Sequence, residues 1–265
     1  MGWGPFGLDG RVAIVTGAAQ GIGFGIASRM REAGADVVVA DLQGDNAAAA
    51  IERLRGVDAP GRLLAVTADV SDPATGERVV AEAAGAFGRV DVLVNNAGIY
   101  PVAPLADLGP DLVHKVLGVN VAGVIFMTKA ASAAMAANGG GAVVNIASMD
   151  GLHPSFPGLS TYGASKGAVI ALTKHHALEL APSNVRVNAI APGSIWTEGA
   201  AASSQGGGLT EQERQAIEDA MLARLPIGRM GTPDDIATAA VFLASPASSY
   251  MTGETVLVDG GMLLT

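Results

Sequence analysis

Between Gly10 and Gly17 lies a short apolar run, Val12 to Val15. After Gly17, Gly21 and Gly23 the pattern changes to helical spacing, with Ile22, Ile26, Ala27 and Met30 on one face. An apolar run of this length, closed by glycine, reads as a parallel strand buried on both faces. The helix that follows offers free N–H groups and the positive end of its dipole at its start. Glycine lets the backbone approach a ligand closely at that point. Strand, glycine turn and helix start together form a site for a pyrophosphate.

The same alternation continues along the chain. Strand candidates begin near Val12, Val37, Leu63, Val90, Val143, Val185 and Val256, with Ala-rich stretches such as Asn46 to Leu54 and Ala74 to Phe87 between them. This pattern predicts an α/β fold: a doubly wound parallel sheet of about seven strands with helices on both faces. Its ligand crevice lies at the C-terminal strand ends, where the strand order reverses. The 265 residues fit one domain, 1–265, and no linker or repeat splits them. The one compositional break is Glu198 to Gly208, with the run SSQGGG. It falls in a segment, about 194–223, expected to act as a flap over the site.

Asp41 closes the second apolar run, eighteen residues beyond Gly23. A carboxylate there can accept both hydroxyls of an adenine ribose and repel a 2′-phosphate. Gln20 and Leu42 stand where a cation would be needed to hold that phosphate. The expected cofactor is therefore NAD. Tyr162 and Lys166 are four residues apart, which places both on one helix face. An ammonium one turn from a phenol favours the phenolate, and so suits the tyrosine to general acid–base work near neutral pH. Ser148 precedes the tyrosine by fourteen residues, at the end of the run AVVNIAS.

These residues together resemble the short-chain dehydrogenase/reductase family, over roughly Leu8 to Gly261. The resemblance implies a Rossmann fold and an NAD-dependent oxidoreductase that interconverts a secondary alcohol and its ketone. The glycine variant G-x-x-x-G-x-G, with Thr16 ahead of it, is the family's form. The resemblance also assigns roles. Asn120, Ser148, Tyr162 and Lys166 form the catalytic set. Gly17, Gln20, Gly21, Ile22, Gly23, Asp41 and Leu42 meet the coenzyme at the N-terminal turn. Asp69 and Val70 contact adenine, and Asn96, Ala97 and Gly98 of the NNAG run line its ribose side. Pro192, Gly193, Ile195 and Thr197 hold the nicotinamide, and Lys166 its ribose. Asn120 supports a water that links Lys166 to solvent. Tyr100, Met149, His153, Phe156, Leu159 and Trp196 line the substrate pocket. That set is mostly apolar and suits a hydrophobic or cyclic alcohol.

Composition narrows the partners. Net charge is −9 with no basic run, which argues against nucleic acid. There is no cysteine, so no thiolate chemistry and no Cys-ligated zinc, and no metal is expected. No apolar stretch reaches the length of a membrane span, and MGWGPFG lacks a signal core, so a soluble cytoplasmic protein is expected. The chain is 49% hydrophobic and only 15% charged, which leaves apolar surface to cover and favours a homo-oligomer. The resemblance implies a homotetramer. Two alternatives stand beside the dehydrogenase reading. One is a 3-oxoacyl-carrier-protein reductase, for which Lys129 is a candidate basic contact, although Leu178 stands where those reductases often carry an arginine. The other is a nucleotide-binding regulator without turnover, which the intact catalytic set opposes.

Overall fold

The computed structural model describes residues 3–197 and 210–265. Seven parallel strands form one sheet in the order β3-β2-β1-β4-β5-β6-β7. They are β1 Val12–Thr16, β2 Asp36–Asp41, β3 Leu63–Thr67, β4 Val92–Asn95, β5 Gly141–Ile146, β6 Val185–Pro192 and β7 Thr255–Val258. Each strand start lies within two residues of its sequence expectation, because glycine and charge mark where burial begins. The order reverses between β1 and β4, which opens the crevice at their C-terminal ends.

Side-chain alternation builds two cores. Ala13, Val15, Val37, Val39, Val92, Val94 and Val144 face one layer, formed by α1 (Gly21–Glu32), α2 (Gly44–Arg55) and α8 (Pro233–Ala244). Val12, Ile14, Val38, Leu93 and Val143 face the other, formed by α3 (Thr75–Phe87), α5 (Gly123–Ala137) and α6 (Ser160–Leu180). Ile14 and Leu93 are fully buried. Truncating either to alanine costs about 2–5 kcal/mol, the range for a buried aliphatic side chain that leaves a cavity. A seventh helix, α7 (Glu211–Leu222), precedes α8. It starts within the expected flap, whose residues 198–209 lie outside the described ones.

α4 (Pro110–Leu117) runs through a π turn, Gly118–Ala122, into α5. The resulting helix, Pro110–Ala137, has a mean hydropathy of 1.5 and is long and apolar enough to cross a membrane by length and composition. The sequence expectation that no stretch reaches such a length is corrected here. Val116, Val124, Met127, Ala131 and Met135 are buried, and the last three belong to the core beneath the sheet, so one face of the helix packs against that core. At the opposite end of the sheet, buried Asp91 ties β1 to β4. It accepts from the Val12 amide at 3.0 Å and forms ion pairs with Arg11 and Arg89.

Candidate active site

The glycine turn has the shape a phosphate cradle requires. Gly17 and Gly21 adopt φ of +60° and +57°, the left-handed region that favours glycine. A Cβ on Gly23 would lie 2.3 Å from the Gly17 carbonyl and 2.4 Å from Asn96 Nδ2, so only glycine fits. Gln20 provides no side-chain cap to α1, and among the described residues the first amides of the helix, at Gly21, Ile22 and Gly23, have no hydrogen-bond partner, as is usual for a helix start. Thr197 stands over this turn, 3.5 Å from where a Gly21 Cβ would sit. Asp41, at the end of β2, accepts from the amides of Ala19 at 3.1 Å and Gln43 at 3.2 Å. Its carboxylate is thereby fixed beside the turn. Leu42 is exposed.

The NNAG run is anchored by its own side chains. Asn96 donates to the carbonyls of Thr16 and Gly17 at 2.8 and 2.9 Å. Thr16 Oγ1 accepts from the amides of Asn96 and Ala97, each at 3.0 Å. Asn95 donates to Thr128 and to Asn145, and Asn145 donates on to Thr173, so a buried polar chain pins β4 and β5 to α5 and α6. Fully satisfied networks of this kind hold a site in one geometry. Asp69 is exposed and caps Ser71, while Val70 is buried under α5, where a Cβ on Gly123 would lie 2.9 Å from it.

The four expected catalytic residues converge at the C-terminal ends of β4 and β5. Ser148 follows β5 and is buried, and its Oγ accepts from the Asp150 amide at 3.1 Å. Ser148 lies close enough to Tyr162 to favour the ionised phenol. Lys166 is buried, and its Nζ donates to the Ile146 carbonyl at 2.7 Å. Asn120, in the π turn, accepts from the Ile99 amide and donates to the Ile99 carbonyl and to Ser165 Oγ. Gly98 lies between them: a Cβ there would be 3.4 Å from Asn120 Oδ1 and 3.5 Å from Lys166 Nζ.

The electrostatics differ from the sequence expectation at one point. Burial pushes the Tyr162 phenol up to about 12, with Ser148 opposing the shift and Asp150 and Tyr100 adding to it. Lys166 Nζ donates to the Ile146 carbonyl and lies 5.7 Å from the Tyr162 ring centre. Burial also holds Lys166 down, at about 8. The chain alone thus keeps Tyr162 as a phenol, a proton donor. To act as a base it needs further positive charge nearby.

On the nicotinamide side, Pro192 ends β6, and the Gly193 amide donates to the Val258 carbonyl. Gly193 lies against Asp259, whose carboxylate caps the amides of Gly261 and Leu263. Ile195 pairs with Gly231, and Trp196 projects at 54% exposure. Of the expected pocket residues, Tyr100 stacks edge-on against Tyr162 at 6.2 Å. Phe156 and Leu159 line a cavity of about 610 Å³ next to the Ser148 turn. Met149 instead packs inward against Leu225 and Met262, and His153 is exposed.

Two residues escaped sequence reasoning. Asp150 lines that cavity, and its Oδ2 lies 3.4 Å from Ser148 Oγ. The signal was its place two residues after Ser148. Arg53 lines a cavity of about 170 Å³ with Ala19 and Gln20, its guanidinium 3.9 Å over the Phe24 ring. A cation therefore stands across from Gln20, supplied through space by α2 rather than by the turn.

A parallel Rossmann-type sheet, a glycine cradle and this Ser–Tyr–Lys cluster define a nicotinamide-dependent oxidoreductase of the Rossmann class. Residues 17–263 match the family model described as Enoyl-(Acyl carrier protein) reductase. The chain is 36% identical to the 3-oxoacyl-(acyl-carrier-protein) reductase of Thermotoga maritima, over 97% of this chain and 99% of that one. It is 38% identical to the L-rhamnose 1-dehydrogenase (NAD(P)(+)) of a Sphingomonas species, over 96% and 97%. A 7α-hydroxysteroid dehydrogenase solved with NADH and 7-oxo glycochenodeoxycholic acid superposes with a TM-score of 0.87 at 35% identity, covering 97% and 96% of the two chains. The chain belongs to the short-chain dehydrogenase/reductase family.

Proposed function

We propose that the chain interconverts a secondary alcohol and its ketone with NAD(H), on a hydrophobic or cyclic substrate. The observation that carries this reading is the meeting of Ser148, Tyr162, Lys166 and Asn120 beside a glycine turn with open helix amides. That turn fits a nicotinamide dinucleotide, because a Cβ at Gly23 would close it and Asp41 stands where an adenine ribose would lie. Gln20, Leu42, Asp69, Val70, Asn96 and Gly98 would flank the adenosine half. Pro192, Gly193, Ile195 and Thr197 would hold the nicotinamide. When bound, the coenzyme takes up or supplies the hydride.

The chain's residues do the rest. Ser148 orients the reacting oxygen by hydrogen bonding. Tyr162 gives its proton to that oxygen in the reductive direction, for which its raised pKa suits it, and takes the proton back in oxidation. Lys166, fixed near 8, passes protons at neutral pH toward a water held near Asn120. Asp41 supports the choice of NAD(H). Arg53 favours NADP(H), and the ratio of catalytic efficiencies with the two coenzymes decides between them.

The 3-oxoacyl-carrier-protein reductase reading is favoured by the Thermotoga relative. Leu178 is 77% exposed on α6, an apolar group where an acidic carrier would need a base. A screen of secondary alcohols, sugars, steroids and hydroxy acids with both oxidised coenzymes tests the proposal. No oxidation of any of these, together with reduction of 3-oxoacyl thioesters by NADH or NADPH, would transfer the assignment to the carrier-protein reductase.

A further inference from the structure

Asp150 sits in a short 3₁₀ turn, Met149–Gly151, laid flat against α6, where a Cβ on Gly151 would lie 2.7 Å from the Lys166 backbone. Its Oδ1 is taken up by the amide and hydroxyl of Ser155 at 3.0 and 2.6 Å. Its Oδ2 has only the Ser148 hydroxyl, at 3.4 Å, a long contact that leaves acceptor capacity over. No cation pairs with it among the described residues, and the cavity it lines, with Phe156, Leu159 and Ser160, holds no basic side chain. A carboxylate at least partly withdrawn from water and left without a partner cation favours a ligand that donates a hydrogen bond to it.

We infer that Asp150 is a specificity-determining residue, and that the substrate carries a second hydroxyl on the carbon next to the reacting one. This rests on the dehydrogenase reading above and narrows its substrate class to cyclic vicinal diols and the matching hydroxyketones. The reacting oxygen lies on Ser148 Oγ, and the neighbouring hydroxyl donates to Asp150 Oδ2. The gap between those two protein oxygens is close to the spacing of adjacent hydroxyls on a ring.

The test compares three alcohols on the wild type: cyclohexane-1,2-diol, its mono-methyl ether, which keeps the oxygen but cannot donate, and cyclohexanol. Catalytic efficiency for the diol should exceed that for the ether by about ten- to hundredfold, the range for a hydrogen bond to a charged acceptor. In Asp150→Asn, which replaces Oδ2 by a donor and keeps the Ser155 contacts, that ratio should fall to near one. Calorimetric binding of diol and ether to the wild-type NADH complex should show the same preference, and needs neither turnover nor a folded variant. Equal handling of diol and ether, by rate and by heat, overturns the inference, as does a ratio unchanged in Asp150→Asn. In either case, oxidation of cyclohexanol leaves the dehydrogenase reading standing. A wild type that oxidises no alcohol with either coenzyme refutes that reading, and this inference with it.

Discussion

Replacing Lys166 by methionine should make the coenzyme-free protein more stable while removing its activity. The ammonium is fully buried, and burial holds it at about 8 against its ordinary 10.5. At about 1.4 kcal/mol per pKa unit, the charged form carries a burial cost on the order of 3 kcal/mol. Below pH 8 the folded and unfolded chains are both charged at this site, so the full cost is present. Between 8 and 10.5 the folded chain sheds its proton first, the unfolded chain binds more protons, and wild-type stability rises with pH. Above 10.5 the cost is gone. Methionine has a similar length and no charge. It leaves the Ile146 carbonyl without its donor, which returns about 1 kcal/mol. The expected gain is therefore about 1–3 kcal/mol at pH 7, shrinking toward zero or below near pH 10.5. Urea unfolding of wild type and variant without coenzyme, at pH 7 and pH 10, measures it. A variant less stable at pH 7, or a gap that does not change with pH, would show that Lys166 is not held against a burial cost.

Three further outcomes are expected. Gly23→Ala drives a methyl into the Gly17 carbonyl and Asn96, and should destabilise the protein by about 1–3 kcal/mol and abolish coenzyme binding, read by fluorescence titration with NADH. Asp41→Ala with Leu42→Arg should lower the NADH-to-NADPH efficiency ratio at least tenfold, because the repelling carboxylate becomes a gripping cation; an unchanged ratio would assign coenzyme choice elsewhere, with Arg53 the first candidate. Light scattering at micromolar protein should give the mass of a tetramer, since Leu117, Ile125 and Leu178 lie exposed on the α4–α5 and α6 helices and Leu257 on β7, and two isologous contacts generate that assembly. A monomeric mass would leave these side chains without the proposed cover.

The elements that recur with a short period were the ones legible in the sequence. Strands such as Val12–Thr16 and Asp36–Asp41 announce themselves because both faces are buried and glycine or aspartate closes them. The glycine cradle and the Tyr162–Lys166 spacing are likewise local, one turn of chain each. What sequence reasoning missed arises through space. The π turn, Gly118–Ala122, that carries Asn120 inward within the long helix has no periodic signal to mark it. Arg53 reaches Gln20 only because α2 packs beside the turn. Burial is the largest cause of the raised Tyr162 pKa, and burial is a property of the packed fold. Asp150 was in plain view beside Ser148, but its meaning depends on which of its oxygens is already engaged.

The central claim is that the proton between substrate and protein moves on the Tyr162 hydroxyl. Tyr162→Phe keeps the ring and its edge contact with Tyr100 and removes only that hydroxyl. Single-turnover oxidation of an alcohol that the wild type accepts, together with NADH titration of the same preparation, tests it directly. The account predicts a rate lower by about 10²–10⁴-fold with NADH affinity retained. A rate near that of the wild type would contradict it.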